Sequence, residues 1–306
     1  RDVLGSRGLG DVYKRQVYNY MIAILLSAYN GADYIGKQID SLLSQTYQDF
    51  TIYIRDDGSN DGTIGIIDSF VNKFPDKVKH VDRNGDNLGV GQSFMWLLEH
   101  AMADYYMYCD QDDVWLPEKV ELTLKKIQEI DKTGHAEMPC CAFTDAIIVD
   151  GQLNHLYDSL WKSNYRNPED AKDVYRYAVY RQAALGCTMI FNNGARRYAL
   201  QNKQFPFRRG QHDRFVVYLC AAFGKVTYLD KPLIKYRQHG KNVTSYINKT
   251  QTRFSVVENI LLSPKKVHSH LSDNFGRLKM LPINVSYAKI FVMLIQKWIF
   301  TSKWKK

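Results

Sequence analysis

The sequence predicts an α/β fold with a mostly parallel central sheet flanked by helices. Residues 21–28 form a continuous apolar run, as expected of a strand buried on both faces. Further along the chain, strand-like segments alternate with segments of helical periodicity. Several strand-like segments end abruptly in Gly, Asn or Asp, which are the residues that favour turns and loops. This alternation is typical of sheets whose strands are connected by helices.

The first half of the chain follows the alternation closely. We predict strands at residues 21–28, 50–55, 78–81 and 105–109, each followed by a helix. After the first strand, apolar residues recur with the period of one helix face at Ile35, Ile39, Leu42 and Leu43. The second half is less regular. There the pattern predicts strands at 140–149, 185–192, 226–229 and 233–237, and a helix at 213–223.

The composition limits the classes of protein that need to be considered. Five cysteines without a CxxC spacing indicate reduced thiols in a cytosolic setting rather than a disulfide framework or a zinc site. No apolar run reaches the ~18 residues of a membrane span, and the first residues lack the apolar core of a signal peptide. Because the first strand begins at Met21, we predict that residues 1–20 are a non-native or disordered extension.

The net charge of +9 is confined to the end of the chain. Residues 249–306 hold eleven Lys and Arg against two acidic residues, so the rest of the chain is neutral. Apolar residues in this tail recur at helical spacing beside lysines, and a basic amphipathic helix can lie in an anionic membrane interface. The alternative is a helix that packs on the core with its lysines solvated. A neutral body without a recognition motif argues against nucleic-acid binding.

Acidic residues crowd the end of the fourth predicted strand. Asp110, Asp112 and Asp113 follow its apolar residues, and carboxylates so close together need a compensating positive charge. A divalent cation held by oxygen ligands is the natural partner. Tyr29-Asn30 and Asp56-Asp57 also follow strands, and the carboxyl ends of parallel strands form the edge where ligands bind. The sequence therefore predicts a single site at this edge.

Four motifs follow one another along the chain. They are Ser27-Ala28-Tyr29-Asn30-Gly31, Asp56-Asp57-Gly58-Ser59-Asn60-Asp61-Gly62-Thr63, Asp110-Gln111-Asp112-Asp113-Val114-Trp115 and Gln211-His212-Asp213. In this order they resemble the motifs of family 2 glycosyltransferases, which have the GT-A nucleotide-diphospho-sugar-binding fold. The resemblance covers about residues 21–245 and implies a nucleotide-binding half at 21–131, an acceptor-binding half at 132–245 and a helical basic tail at 246–306. The subgroup is similar to the rhamnosyltransferase-like enzymes, with Arg214 and Phe215 at positions where members commonly carry two aromatics.

The resemblance implies a role for each acidic residue of the predicted site. Asp57 would accept a hydrogen bond from the nucleotide base, with Tyr29 stacked near it. Asp112 would lie near the ribose, and Asp113 would bind a Mg²⁺ or Mn²⁺ ion that bridges the two phosphates. Asp213 would be the general base. The other residues expected to bind the nucleotide sugar are Ser27, Asn30, Asn87, Gly89, Gly186 and Arg237.

His239 resembles a late ligand to the metal or the diphosphate, whereas Asp110 is expected to support its loop rather than to bind the metal. Each of these residues also has a purely structural interpretation. Asp57 lies in a sequence that favours an Asx turn, and Asp213 could be a carboxylate stabilised by the start of a helix. His239 could be a structural hydrogen-bonding residue, and Arg237 could pair with an acid elsewhere.

We therefore predict an inverting, metal-dependent glycosyltransferase that moves a sugar from a UDP- or dTDP-sugar, with dTDP-rhamnose as one candidate, to a hydroxyl of a surface-glycan or lipid-linked acceptor. Its expected location is the cytoplasm, with the tail able to hold it on the cytoplasmic face of a membrane. The alternatives are a catalytically silent, membrane-docked sugar-nucleotide-binding module, a processive polysaccharide synthase and a nucleotidyltransferase. A nucleotidyltransferase would need a Gly-rich phosphate loop after the first strand, where the sequence has Tyr29-Asn30-Gly31.

Overall fold

Four parallel strands form the first part of the central sheet. The elements of this half, in the computed structural model described here, are β1 (Ile22–Ala28), α1 (Ile35–Leu43), β2 (Phe50–Asp56), α2 (Thr63–Lys73), β3 (Val78–Val81), α3 (Val90–His100) and β4 (Tyr105–Asp110). β1 pairs with β2 on one side and with β4 on the other, and β3 extends the sheet beyond β2. The structure describes residues 20–82, 86–131, 137–180, 182–202, 211–240, 242, 286, 288–290 and 292–293.

The second half adds shorter strands and helices around one long strand. Its elements are β5 (Val114–Trp115), α4 (Lys119–Gln128), β6 (Cys140–Asp150), β7 (His155–Tyr157), α5 (Leu160–Ser163), α6 (Val174–Val179), β8 (Met189–Asn192), α7 (Asn193–Gln201), α8 (His212–Phe223) and β9 (Lys225–Gln238). The strand order is β3-β2-β1-β4-β8-β6-β9-β5, with β7 paired to β6. The sheet is parallel from β3 to β4 and mixed beyond it, and the predicted α/β fold is confirmed.

The buried apolar residues lie in two layers, one on each face of the sheet. Along β1, Ala23 and Leu25 belong to the cluster that contains residues of α3 and α8. Ile22, Ile24 and Leu26 belong to the opposite cluster, which contains residues of α1, α2 and α4. Successive side chains of a strand point to opposite faces, so a strand covered on both faces is apolar throughout. This explains why β1 reads as an uninterrupted apolar run.

The second half differs from the sequence-based prediction in several elements, including β7, α5, α6 and α7, which the pattern did not predict. The two strands predicted at 226–229 and 233–237 are one strand, β9, which continues through a register shift where Pro232 lies opposite Asp145. A bulge absorbs the proline, which the sequence pattern indicated as a break. The strand predicted at 185–192 begins with a 3-10 turn at residues 186–188. β5 was not predicted, because its two residues become a strand only by pairing with β9.

Two predicted segments lie largely outside the described residues. Of the extension predicted at residues 1–20, the structure describes Tyr20, whose ring packs edge-on against Tyr105. Of the tail at 246–306, it describes a few helical residues, among which Ile290 is fully buried in the core. The Tyr175 hydroxyl accepts a hydrogen bond from the Ser286 N–H at 3.2 Å. These described tail residues pack on the domain beside α6.

All five cysteines are described and buried, and none forms a disulfide. Within the described part of the chain, no helix is both long enough and apolar enough to span a bilayer.

Gly224 ends α8 against the backbone of the loop before β6. A Cβ atom at Gly224 would lie 1.7 Å from the carbonyl oxygen of Pro139, so any side chain forces two backbone segments apart. We predict that Gly224→Ala lowers the free energy of unfolding by at least about 2 kcal/mol in urea titrations. Gly65→Ala in α2 is the matched control, because a Cβ there meets nothing within 4 Å. This control should be stabilised by about 0.5–1 kcal/mol, and equal stability of the two variants would contradict the prediction.

Candidate active site

The loops at the carboxyl ends of β1, β2, β3 and β4 surround one cleft. The cleft has a volume of about 610 Å³ and also receives residues from the 3-10 turn before β8, from the start of α8 and from the end of β9. The expected convergence at this sheet edge is therefore present. The residues predicted from the sequence that line the cleft are Ser27, Tyr29, Asn30, Asp57, Asn87, Gly89, Asp112, Gly186, Asp213 and His239.

Asp57 is held in the cleft by hydrogen-bond donors on both carboxylate oxygens. Its Oδ1 accepts from the Arg55 guanidinium and from the Leu88 N–H at 2.8 Å, and its Oδ2 accepts from the Gly89 N–H at 2.9 Å. Asp57 is 2% exposed and Arg55 is fully buried. Gly89 has a φ of +78°, a backbone conformation that favours glycine. Because a carboxylate oxygen can accept two hydrogen bonds, Oδ2 keeps one acceptor position that no described residue fills.

Arg55 also fixes the loop between β3 and α3. Its Nε donates to Asp82 Oδ2 at 2.9 Å, and its Nη2 donates to the Asp86 carbonyl oxygen at 2.8 Å. The guanidinium carbon lies 5.7 Å from the centroid of the Trp96 ring on α3. A planar guanidinium offers five N–H donors in fixed directions, so one buried side chain joins Asp57, the loop and the helix.

The loop after β1 is braced by side-chain amides. Asn30 Oδ1 accepts from the Asn60 N–H at 2.9 Å. The Gln111 side chain pairs with both backbone polar groups of Tyr29, each at 2.9 Å. Ser27 donates to a serine hydroxyl of α3 at 2.7 Å. The backbone of this loop is therefore fixed, while the Tyr29 ring remains 49% exposed at the cleft.

Burial and mutual repulsion raise the pKa values of two carboxyls in the acidic loop. Burial, followed by the charges of Asp112 and Asp213, raises the pKa of Asp110 to about 7. Burial, followed by the charges of Asp112 and Asp110, raises the pKa of Asp113 well above its usual range. The loop therefore carries less negative charge near neutral pH than its three carboxyls suggest. A cation bound beside them would favour their ionised forms.

Asp113 does not line the cleft, and its metal-binding role stays a prediction. It is fully buried; its Oδ1 accepts from the Arg237 N–H at 2.9 Å, and its Oδ2 has no hydrogen-bond partner in the described part of the chain. Ligand atoms of Asp113, Asp110 and Cys187 do lie within 4.8 Å of one another. However, the fully buried Lys119 ammonium interacts with the same group. A soft thiol and a neighbouring cation do not suit Mg²⁺ or Mn²⁺.

Asp112 and His239 form the pair of ligand-type side chains that faces the cleft. Asp112 Oδ2 lies 2.8 Å from His239 Nε2, and Asn242 Nδ2 donates to the same carboxylate oxygen at 3.3 Å. The His239 ring stacks on Tyr34 with the ring centroids 4.5 Å apart. Carboxylate oxygen suits Mg²⁺ and Mn²⁺, and imidazole is the commonest metal ligand in proteins. The donor chemistry of this pair therefore fits a divalent cation.

Arg237 does not line the cleft, although the sequence predicted a contact with the nucleotide sugar. It is 2% exposed, its Nε donates to the Asp112 carbonyl oxygen at 2.5 Å, and its Nη1 donates to the Gly151 carbonyl oxygen at 2.8 Å. The guanidinium carbon lies 4.8 Å from the centroid of the Tyr34 ring. Arg237 supports the acidic loop from behind, and its contact with the nucleotide sugar stays a prediction.

Asp213 lies in the first turn of α8 and faces the cleft beside Gly186. Its Oδ2 accepts from the Gly186 N–H at 2.9 Å, and its Oδ1 accepts from the Arg214 N–H at 2.6 Å. A Cβ at Gly186 would lie 3.2 Å from Asp213 Cβ, so glycine allows this close approach. Two backbone donors orient a carboxylate that can accept a proton from a hydroxyl. The start of a helix also stabilises a carboxylate, so the structural interpretation fits the same position.

Several residues of the cleft were not assigned a role from the sequence. Gln111 and His212 belong to the motifs quoted above, so a signal for them existed. Asn242 lies three residues after His239, which the sequence did single out. Tyr34 and Phe94 gave no usable signal, because aromatic residues near helices are usually part of the core.

His212 is buried beside Asp213 as a neutral imidazole, because burial lowers its pKa to about 4. In the unfolded chain the pKa of His is about 6.5, so between these values the unfolded state binds more protons and stability falls as the pH is lowered. From about pH 7 to about pH 5, we predict that the wild type loses about 2 kcal/mol more unfolding free energy than His212→Phe in urea titrations. His100→Phe, which alters an exposed His stacked on Trp96, should behave like the wild type. Equal losses in all three proteins would contradict the prediction.

Comparison with known proteins identifies the family. The family described as "Glycosyl transferase family 2" matches residues 23–178, about half of the chain. An uncharacterized glycosyltransferase of Nostoc sp. is 29% identical over 225 residues, which cover 72% of this chain and 66% of that protein. The dTDP-rhamnosyl transferase RfbG of Shigella flexneri is 25% identical over 225 residues, which cover 71% of this chain and 72% of that protein.

Solved structures with a similar fold have low sequence identity. Residues 1–349 of S. aureus TarS in complex with UDP-GlcNAc align with a TM-score of 0.58 at 16% identity, over 88% of this chain and 69% of that one. The mannosyltransferase PcManGT from Pyrobaculum calidifontis, in complex with GDP-Man and Mn²⁺, aligns with a TM-score of 0.56 at 13% identity, over 91% of this chain and 69% of that one. These likenesses concern the fold. Together with the family match, they establish that the chain is a glycosyltransferase of family 2 with the GT-A fold.

Proposed function

We propose that this glycosyltransferase transfers a sugar from a UDP- or dTDP-sugar to a hydroxyl group, with inversion at the anomeric carbon and with the help of a divalent cation. The observation that carries the proposal is the content of the cleft. One cavity holds three kinds of group. Asp57 is a carboxylate with one acceptor position that no described residue fills, and Asp112 and His239 form a carboxylate–imidazole pair. Asp213 is a carboxylate oriented by backbone N–H groups. The nucleotide base would bind Asp57, the diphosphate would bind a cation held by Asp112 and His239, and the acceptor hydroxyl would give its proton to Asp213.

The hydrogen bonds of Asp57 favour a pyrimidine with an imide N–H. Uracil and thymine present one N–H donor on this edge, which matches the free position of Oδ2. Guanine would present two neighbouring N–H donors and would need both oxygens, but Oδ1 already accepts from Arg55 and Leu88. Cytosine has an acceptor at the corresponding ring nitrogen, so it does not complement a carboxylate. The name of the similar dTDP-rhamnosyl transferase is consistent with a thymidine donor.

Asp213 is the proposed general base. As the acceptor oxygen forms its bond to the anomeric carbon, Asp213 takes the hydroxyl proton. The bond from that carbon to the diphosphate oxygen breaks, and the nucleoside diphosphate leaves with the electron pair. Attack from the face opposite the leaving group inverts the configuration. Hydrogen bonds from the Gly186 and Arg214 N–H groups fix the carboxylate for this transfer.

Asp112 and His239 are the residues that would hold the cation. When bound, the cation offsets the negative charge that develops on the leaving diphosphate. Asp110 also lines the cleft, as a further acidic group beside Asp112 and His239. The acceptor class, a surface glycan or a lipid-linked sugar, and a cytoplasmic location near a membrane remain predictions from the family resemblance.

Sugar-nucleotide binding tests the proposal directly. A thermal-shift panel of UDP-glucose, UDP-N-acetylglucosamine, dTDP-rhamnose and GDP-mannose is measured with and without Mn²⁺. At least one uridine or thymidine compound should raise the melting temperature, more strongly with Mn²⁺, because the base, the diphosphate and the cation bind in one cleft. A panel without any shift, or with a shift for GDP-mannose alone, would contradict the proposal.

Two acidic variants separate the candidate metal ligands within the same assay. Asp112→Asn should weaken Mn²⁺ binding roughly 10-fold or more, because it removes an anionic oxygen that faces the cleft. Asp113→Asn should retain the Mn²⁺ effect, because its buried carboxyl has a raised pKa and an amide resembles the protonated form. If Asp113→Asn loses the Mn²⁺ effect and Asp112→Asn keeps it, Asp113 is the metal ligand instead.

Turnover of the donor tests Asp213. Release of nucleoside diphosphate, by transfer or by slow hydrolysis, is followed with the donor that the panel identifies. Asp213→Asn should reduce kcat by about 10²–10⁴-fold while the Kd of the donor changes little, since the amide cannot take a proton. Asp173→Asn is the matched control, because Asp173 caps α6 away from the cleft and Asn is an equally good cap. Unchanged turnover in Asp213→Asn would remove its role. A wild type that binds donor and Mn²⁺ without any turnover would support the non-catalytic binding module.

A further inference from the structure

His212 has no role in the proposed reaction, although its side chain lines the cleft. The imidazole is stacked on Phe94, with the ring centroids 4.1 Å apart and the planes 20° from parallel. Tyr108 meets the same ring edge-on at 4.7 Å. His212 is 5% exposed and precedes Asp213 at the start of α8. Two aromatic rings therefore hold the imidazole in one orientation beside the proposed base.

The polar atoms around this imidazole lack partners. Neither ring nitrogen of His212 has a hydrogen-bond partner in the part of the chain that the structure describes. The hydroxyls of Tyr108 and Tyr177, both buried and within electrostatic range of Asp213, have none there either. Of these three side chains, His212 is the one that lines the cleft. Because buried polar atoms are normally hydrogen-bonded, His212 is a position that a molecule in the cleft can complete.

The surroundings favour a hydroxyl group as the missing partner. The neighbouring carboxylate of Asp213 and the acidic Asp110 line the same cleft, so a phosphate or carboxylate would be repelled there. A neutral imidazole has one donor and one acceptor nitrogen, and a hydroxyl can complement either of them. Gly186 packs closely beside the ring: a Cβ there would lie 3.3 Å from His212 Nε2, so a larger residue would crowd the imidazole.

We propose that His212 hydrogen-bonds a hydroxyl of the sugar that is transferred, an assignment that rests on the function proposed above. His212 belongs to a buried part of the cleft wall, with Phe94 and Tyr108 packed against it. The transferred sugar must reach deep enough to bring its anomeric carbon to the hydroxyl that Asp213 deprotonates, so it is the molecule that meets this wall.

Calorimetric titration of the full chain with Mn²⁺ tests this assignment. The ligands are the sugar nucleotide from the four-compound panel that the wild type binds, and its nucleoside diphosphate alone. His212→Phe keeps a ring against Phe94 and removes both nitrogens. The Kd of the sugar nucleotide should rise roughly 5- to 10-fold, and the Kd of the nucleoside diphosphate should not change. His212→Gln keeps one donor and one acceptor and should recover part of the lost affinity.

His100→Phe is the matched control, because His100 also stacks on an aromatic ring, Trp96, but does so outside the cleft. It should leave both Kd values unchanged. The inference is overturned if His212→Phe leaves the Kd of the sugar nucleotide unchanged, raises both Kd values equally, or raises only the KM of the acceptor. If His212→Phe does not melt cooperatively, His212→Gln and His212→Asn provide the same comparison. A wild type that binds no panel member contradicts the proposed function itself.

Discussion

The parallel strands β1 to β4 bring more carboxyl groups to one edge of the sheet than the fold neutralises. Each acidic residue there is accommodated differently. Asp57 is paired with the buried Arg55, and Asp112 lies against His239. Burial and neighbouring carboxylates raise the pKa values of Asp110 and Asp113, so these two carboxyls carry less negative charge near neutral pH. Removing one partner of a buried ion pair costs about 3–5 kcal/mol, so Arg55 is as much a part of the fold as of the site. The charge that remains at the cleft is the reason to expect a cation there.

Two imidazoles of the cleft are positioned by aromatic stacking. His239 stacks on Tyr34 and His212 stacks on Phe94. Stacking fixes the plane of a ring but leaves its nitrogens available for other partners. For His239 that partner is a carboxylate oxygen of Asp112, and for His212 it is the proposed sugar hydroxyl. A site whose side chains are already held in place loses little conformational entropy when it binds its ligand.

The second half of the chain completes the site through long-range contacts. β9 runs beside β6 and pairs with β5 immediately after the acidic loop, which brings residues 237–239 to Asp112 and Asp113. The turn before β8 meets the start of α8 through the hydrogen bond between Gly186 and Asp213. The cleft is therefore a joint product of the parallel half, which supplies the proposed nucleotide side, and the mixed half, which supplies the proposed base.

The sequence by itself determined the α/β fold, the strands of the parallel half and the edge at which the acidic motifs meet. Local periodicity and turn residues specify these features, since they depend on neighbours in the chain. Tertiary structure alone decided which acidic side chains face the cleft. The family resemblance implied the ribose for Asp112 and the metal for Asp113, whereas the pairing of β5 with β9 buries Asp113 under Arg237 and turns Asp112 to His239. It also decided that Arg237 supports the loop and that Pro232 lies in a bulge within one strand. Contacts between residues far apart in the chain fix these features, and no local pattern encodes them.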